Sequence, residues 1–201
     1  MIHPDTEVRF ISKEIGYGVV ATKLIPKGTI TWVLDKLDRE FTPEEVQKLD
    51  PIYQDILHTY TFRNNVGNFV LCWDHGRFVN HSFKSNCMST AYDIEIAIRD
   101  IHPGEQLTDD YGYLNVTEPF EALDEGTERK VVYPDDIKNF AAVWDKQLAE
   151  NFKYILEVNQ KMKYLLTPEM WNKIEAVAKG HLPLDSIISC YYEDVKQQAN
   201  V

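Results

Sequence analysis

The chain is short of cysteine, of positive charge and of long apolar runs, and each shortage removes a class of protein. Its three cysteines, Cys72, Cys87 and Cys190, are odd in number, far apart and without a CxxC spacing. Thiols so placed give neither a disulfide framework nor a cysteine-built zinc site, and reduced thiols in an intracellular compartment are the simplest reading. No stretch reaches the roughly 20 apolar residues that a membrane helix needs, and the opening MIHPDTEVRF lacks the basic flank and apolar core of a signal peptide. A soluble intracellular protein, cytoplasmic or nuclear, with no membrane partner is expected. Lysine and arginine number 21 against 32 aspartates and glutamates, a formal net charge of −11. Such a surface repels phosphate backbones, so no direct nucleic-acid binding is expected, whereas a basic protein or peptide is drawn to it. The same acidity also serves plain solubility.

What is present suffices for one well-packed domain with an appendage, since 201 residues with 44% hydrophobic content can bury a sizeable core. The first 120 residues read mainly as short strands between irregular loops. Val8 to Ser12, Val19 to Leu24, Thr29 to Leu34 and Asn68 to Trp73 are rich in β-branched or aromatic residues and lie near turn signals. In Ala91 to Arg99, Ile94, Ile96 and Ile98 alternate with Glu95, Ala97 and Arg99, which predicts a strand with one buried and one wetter face. A helical insert at about 42–60 opens on Thr42, Pro43 and Glu45, a capping residue, a first-turn proline and a reach-back glutamate, and Pro51 breaks or kinks it. Residues 115–134 form a polar connecting segment, read as a loop or irregular cover. The extension 135–201 is expected to be helical. Apolar positions from Ile137 to Leu166 predict one long amphipathic helix, a second starts at Thr167 and Pro168 and stops near Gly180, and a third spans about Asp185 to Val195.

Three short segments carry the chemistry. The first is Gly16-Tyr17-Gly18, with Ile25-Pro26-Lys27-Gly28 behind it. Paired glycines let a backbone approach a ligand, or merely supply positive φ, and no phosphate-cradling GxGxxG is completed. The second is Arg77-Phe78-Val79-Asn80-His81-Ser82 with Asn86 just beyond, where donor, acceptor and titratable groups stand together, although an Asn-His-Ser turn can also serve only its own backbone. A metal reading of His75 and His81 lacks a second cluster of ligands. The third runs from Ala97 through Pro103-Gly104-Glu105-Gln106-Leu107-Thr108-Asp109-Asp110 to Tyr111-Gly112-Tyr113. On a strand, tyrosines at i and i+2 point to one face, which predicts that both phenols meet in one pocket.

In this order, GxG, then R-F-V-N-H-S-x-x-x-N, then I-x-x-G-E-x-L-T-x-D-Y-G, the chain resembles the SET-domain protein lysine methyltransferases over residues 6–114. The resemblance implies a mainly β, β-clip-like fold of small sheets with a C-terminal pseudoknot, followed here by an α-helical tail. It implies S-adenosylmethionine as cofactor, held by Gly16, Tyr17, Gly18, Asn80 and His81, and a lysine of a basic protein or peptide entering a narrow channel from the other face. Tyr111 falls on the family's catalytic tyrosine, and Tyr113 would be a second wall of the channel. Two departures matter. Phe83 stands where zinc-bearing members carry cysteine after Asn-His-Ser, so no zinc is expected, and Ser85 replaces the usual proline. The aromatic tail, with Phe120, Tyr133, Trp144 and Tyr154, is the candidate cover that completes the channel. The alternative is a catalytically inactive SET-like module that holds a peptide or metabolite, and the substrate of an active enzyme could equally be a non-histone protein.

Overall fold

A computed structural model describes residues 1–193. In chain order, β1 (Thr6–Ser12) and β2 (Gly16–Ala21) form a hairpin, and β3 (Ile30–Val33) follows. Next, β4 (Arg39–Phe41) leads into helices α1 (Pro43–Gln47) and α2 (Pro51–Tyr60). Thr42 accepts from the Glu45 amide at 3.2 Å while the Glu45 carboxylate accepts from the Thr42 amide at 2.8 Å, so the expected capping box is present. Pro51 splits the insert in two, because it begins α2 rather than continuing α1. The chain returns through β5 (Thr61–Arg63) and β6 (Phe69–Leu71), which complete a three-stranded sheet in the order β4-β6-β5.

The remaining strands build the centre. These are β7 (Asn80–His81), β8 (Cys87–Ser89), β9 (Ile94–Ala97) and β10 (Thr108–Asp109), and a second sheet runs β3-β9-β8. All four residues of β9 are buried, which corrects the expectation of one wetter face. The reason is that both faces are covered. Ile94 and Ile96 join the core under the helical tail, and Ala97 joins a second core with Val19, Ile25 and Ile101. Glu95 is thereby enclosed with its strand.

The centre is closed by a parallel pairing of only two residues per strand. Thr108 lies opposite Asn80 and Asp109 opposite His81, and the Ser82 amide donates to the Asp109 carbonyl at 2.9 Å. Parallel strands need a crossover connection, and here residues 82–107, carrying β8 and β9, supply it. Asn86, 1% exposed, fastens the crossing from inside. Its Nδ2 donates to the Gln106 carbonyl at 2.7 Å and its Oδ1 accepts from the Thr108 amide at 2.9 Å.

The connecting segment is more regular than a loop, since β11 (Phe120–Glu121) and β12 (Val131–Val132) pair within it. Beyond it, α3 (Asp136–Asn151) is followed by 3-10 turns at Phe152–Leu156 and Lys163–Leu165, then by α4 (Pro168–Ala178). The single long helix expected to Leu166 is therefore broken. Gln160 explains part of the break, because its side chain accepts from the Ile30 amide at 2.9 Å and donates to the Gly28 and Ile155 carbonyls, each at 2.8 Å. Thr167 caps α4 as expected. Only a 3-10 turn, Ile187–Cys190, stands where a third helix was predicted, for Asn115 captures the Cys190 carbonyl at 2.8 Å and the Tyr192 amide at 2.9 Å. The last residues of that expected helix and of the 135–201 extension lie outside the described residues. Leu148, Phe152, Ile155 and Ile174 share one core with Met88, Ile94 and Ile96, so the tail is packed on the sheet. No helix among the described residues is long and apolar enough to cross a membrane.

Replacing Asn86 by alanine leaves a half-buried carbonyl and a half-buried amide without their side-chain partner, which costs roughly 1 to 3 kcal/mol in all. Urea unfolding is expected to show a loss of that order, and an unchanged midpoint would show that the crossing stands without Asn86.

Candidate functional site

Gly16, Tyr17 and Gly18 start β2 beneath Asn80. A Cβ on Gly18 would lie 2.5 Å from Gln106 Oε1 and 2.7 Å from Asn80 Nδ2, whereas Gly16, at φ +82°, faces open space. At Gly16 the left-handed backbone favours glycine, and at Gly18 a side chain would push Gln106 and Asn80 out of the positions they hold. Asn80 Nδ2 donates to the Tyr17 carbonyl at 3.0 Å and to Gln106 Oε1 at 3.1 Å. The Tyr17 ring is exposed and meets Phe10 edge-on at 5.8 Å between centroids. Two sequence segments some 60 residues apart thus form one surface.

His81 joins that surface to the third segment. Its Nδ1 accepts from the Tyr111 amide at 3.1 Å, which places the proton of the neutral ring on Nε2, a buried atom without a hydrogen-bond partner. Burial lowers the ring's pKa below the ordinary histidine value, against the opposing pull of Asp110 and Glu125. The imidazole is neutral near pH 7 and a hydrogen-bonding group rather than a cation. Phe83, Tyr111 and Phe120 enclose it, with centroids at 4.5, 5.4 and 5.6 Å.

Tyr111 and Tyr113 do not converge as the strand pattern predicted. They lie on a 3-10 turn, Tyr111–Tyr113, that Asp110 caps, and its tighter winding sends the two phenols apart. The Tyr111 hydroxyl donates to the Val79 carbonyl at 2.6 Å, and its ring lines a cavity of about 520 Å³. Burial first, then the nearby carboxyls of Asp109 and Glu95, push its pKa well above the ordinary phenol value. A phenol so raised stays protonated and is not a base. Tyr113 is instead a core residue, edge-on to Trp144 at 5.3 Å, with its hydroxyl 3.0 Å from Asp109 Oδ1 and 3.1 Å from the Cys87 carbonyl. It lines a different cavity, of about 800 Å³, on the far side of the Trp32 and Glu95 pair.

Gly16, Gly18, Asn80 and His81 do not line the Tyr111 cavity. They sit beside it, linked through the bond from the Tyr111 amide to His81. Glu95 and Asp109, which sequence reasoning did not single out, do line it. The signal available was an acidic residue inside Ile94-Glu95-Ile96-Ala97 and a doubled aspartate before Tyr111.

The connecting segment covers Asn-His-Ser. Ser82 Oγ donates to Glu125 Oε1 at 2.7 Å and the Phe83 amide to Glu125 Oε2 at 2.8 Å. Arg129 bridges the carboxylates of Asp110 and Asp136 and stacks on Phe83 and Phe140 at 4.6 and 4.5 Å. A Cβ on Gly112 would lie 2.6 Å from its guanidinium, so the glycine between the two tyrosines admits this arginine. Phe120 contributes to the site as one of the expected covering aromatics, and Trp144 does so through the core. Among the described residues no three His, Cys, Asp or Glu side chains gather as metal ligands.

Set beside known proteins, residues 16–112 match the family model of the SET domain. No curated protein matches the chain significantly. Among solved structures, the crystal structure of a candidate histone methyltransferase of Plasmodium falciparum aligns with 17% identity over 55% of this chain and 95% of that one, at a TM-score of 0.41.

Asp109 holds its proton to about pH 6 in the folded chain, against 3.8 for an ordinary aspartate, chiefly through burial. Between those values the folded state binds more protons than the unfolded one, so this group's contribution to stability falls as pH rises from about 4 to 6. Asp109→Asn removes that titration. The stability of the variant minus that of the parent is expected to grow across this range in denaturation curves, and a constant difference would mean that Asp109 titrates normally.

Proposed function

We propose, on the premise that residues 16–112 are a SET domain, that the chain is a methyltransferase that moves methyl groups from S-adenosylmethionine to the side-chain amine of a lysine in a basic protein or peptide. The observation that carries this reading is the bond from the Tyr111 amide to His81 Nδ1, which joins the glycine and asparagine surface to the cavity holding the Tyr111 phenol.

The residues present fit the cofactor. Gly16 faces open space, Gly18 leaves bare backbone under Asn80, and His81 Nε2 is a buried donor without a partner. Gly16, Tyr17 and Gly18 would hold it along the main chain, with Asn80 and His81 at its polar end. When bound, S-adenosylmethionine supplies an electrophilic methyl carbon on a sulfonium. The chain's own part is alignment. Val79 fixes the Tyr111 hydroxyl, whose oxygen retains a lone pair to accept from an amine N–H and hold the nitrogen in one orientation. Trp32, Phe62 and Phe120 supply an apolar part of the cavity wall, and the amine reacts in its uncharged form. The net charge of −11 favours a cationic substrate on approach.

Isothermal calorimetry with S-adenosylmethionine and then S-adenosylhomocysteine tests the reading, with saturable binding of both near one per chain expected. Absence of binding in the folded chain would move the assignment to an inactive peptide- or metabolite-binding module. Asn80→Ala is expected to weaken both affinities at least tenfold. Tyr111→Phe should cut turnover at least tenfold on a lysine peptide that the parent chain methylates while changing cofactor affinity less than twofold; normal turnover would remove Tyr111 from the chemistry.

A further inference from the structure

Two carboxyls share the wall of the Tyr111 cavity. Glu95 lies on β9 opposite Trp32 on β3, so the two side chains are neighbours on one face of the sheet. Asp109 lies on β10 opposite His81, two residues before Tyr111. They are 9% and 3% exposed, and both line the cavity with Trp32, Phe62 and Tyr111. Burial first, then the charge of Asp109, pushes the Glu95 carboxyl well above the ordinary carboxylate range, so the pair carries a proton. Ser89 Oγ donates to Glu95 Oε1 at 3.1 Å and the Tyr113 hydroxyl to Asp109 Oδ1 at 3.0 Å, so each carboxyl is held in place from behind.

A buried acid is ordinarily matched by a buried base. Arg77, in the same wall, gives its guanidinium to the carbonyls of Cys72, Trp73 and Asp74. The other titratable groups that act on the pair are Asp110, the phenols of Tyr111 and Tyr113, the thiols of Cys72 and Cys87, and the amino group of Met1, while His58, Tyr60 and Glu118 line the same cavity. A second feature of the wall is also incomplete. The indole of Trp32, 8% exposed, keeps its Nε1 buried without a partner. That donor asks for an acceptor rather than a cation; the carboxyl oxygens among the aromatic rings of Trp32, Phe62 and Tyr111 are what suit a polar cationic group.

We propose that Glu95 and Asp109 form the amine-receiving floor of this cavity, where they bind an alkylammonium group and take its proton. That the group belongs to a lysine side chain rests on the reading above. In the step, one N–H bond of the ammonium breaks and its electron pair remains on nitrogen as the lone pair of a neutral amine. The proton forms an O–H bond on the pair, which passes from one shared proton to two and from a charge of −1 to 0, and water later carries the extra proton away. Burial raises the pKa of both carboxyls, and a proton acceptor is most effective when its pKa lies near the working pH.

Carboxyl carbon resonances of the chain labelled with 13C in Asp and Glu, assigned by their loss in Glu95→Gln and Asp109→Asn, are followed while n-butylammonium chloride is added at pH 7. Both resonances are expected to shift saturably, n-butanol should leave them unmoved, and Asp109→Asn should weaken the n-butylammonium affinity at least tenfold. Resonances that do not move, or that move equally with n-butanol, overturn the proposal. Should a variant fail to fold, the two probes compared on the unaltered chain still decide it, with assignment by through-bond spectra. Saturable n-butylammonium shifts without S-adenosylmethionine binding would overturn the methyltransferase reading and leave the amine site. Cofactor binding without those shifts would do the reverse.

Discussion

Two residues paired with two others hold the site together. The ladder between Asn80–His81 and Thr108–Asp109 is too short to be stable alone, since parallel pairing is weak per residue and each strand is a fragment. It persists because Asn86 supplies from the side what a longer ladder would supply along its length, meeting the Gln106 carbonyl and the Thr108 amide within a closed interior. Every later feature follows from this crossing. It sets Asp109 beside the Asn-His-Ser turn, and it delivers the Tyr111 amide to His81 before the chain winds into its 3-10 turn.

The helical tail belongs to the same mechanical system. Arg129 ties Asp110, next to Tyr111, to Asp136 at the start of α3, and it does so between Phe83 and Phe140. An ion pair buried in this way is a modest source of net stability, because desolvation offsets much of its attraction, but removing one member leaves a charge without compensation. Its consequence is positional: the register of α3 is bound to that of the tyrosine turn. At the other end of the extension, Gln160 holds the entry to β3, the strand that carries Trp32 into the cavity wall.

Much of this was legible in the residues, and the failures have physical causes. The capping box at Thr42, the break at Pro51 and the cap at Thr167 were readable because each is a local bargain between one side chain and its own backbone. Strand β9 was legible as a strand but not in its burial, since alternation reports one covered face and cannot register a second cover supplied by Val19, Ile25 and Ile101 from far along the chain. Tyr111 and Tyr113 were assigned to one face by strand period, yet the Asp110 cap turns the backbone there. The broken helix after Asn151 and the missing one near Asp185 both reflect distant side chains, Gln160 and Asn115, that claim backbone groups a helix would otherwise use. Glu95, Asp109, Glu125 and Arg129 went unselected because charged residues read as solvated until tertiary structure encloses them.

Charge acts here at two ranges, and they do different things. The overall excess of acidic residues makes a diffuse field that raises the local concentration of cations but distinguishes poorly among them, and salt screens it within about 10 Å. Glu95 and Asp109 lie behind Trp32 and Phe62, where screening is weak and a misplaced charge is costly. A strand as apolar as β9 would gain stability from a hydrophobic residue at position 95, and the packing of Ile94 and Ile96 shows that the sheet does not need a carboxyl there. Local rules broken at a stability cost are found where a protein meets its ligand. On the proposal above, the enclosed pair marks the cavity beside Tyr111, rather than the acidic surface at large, as the place where the charge of a substrate is read.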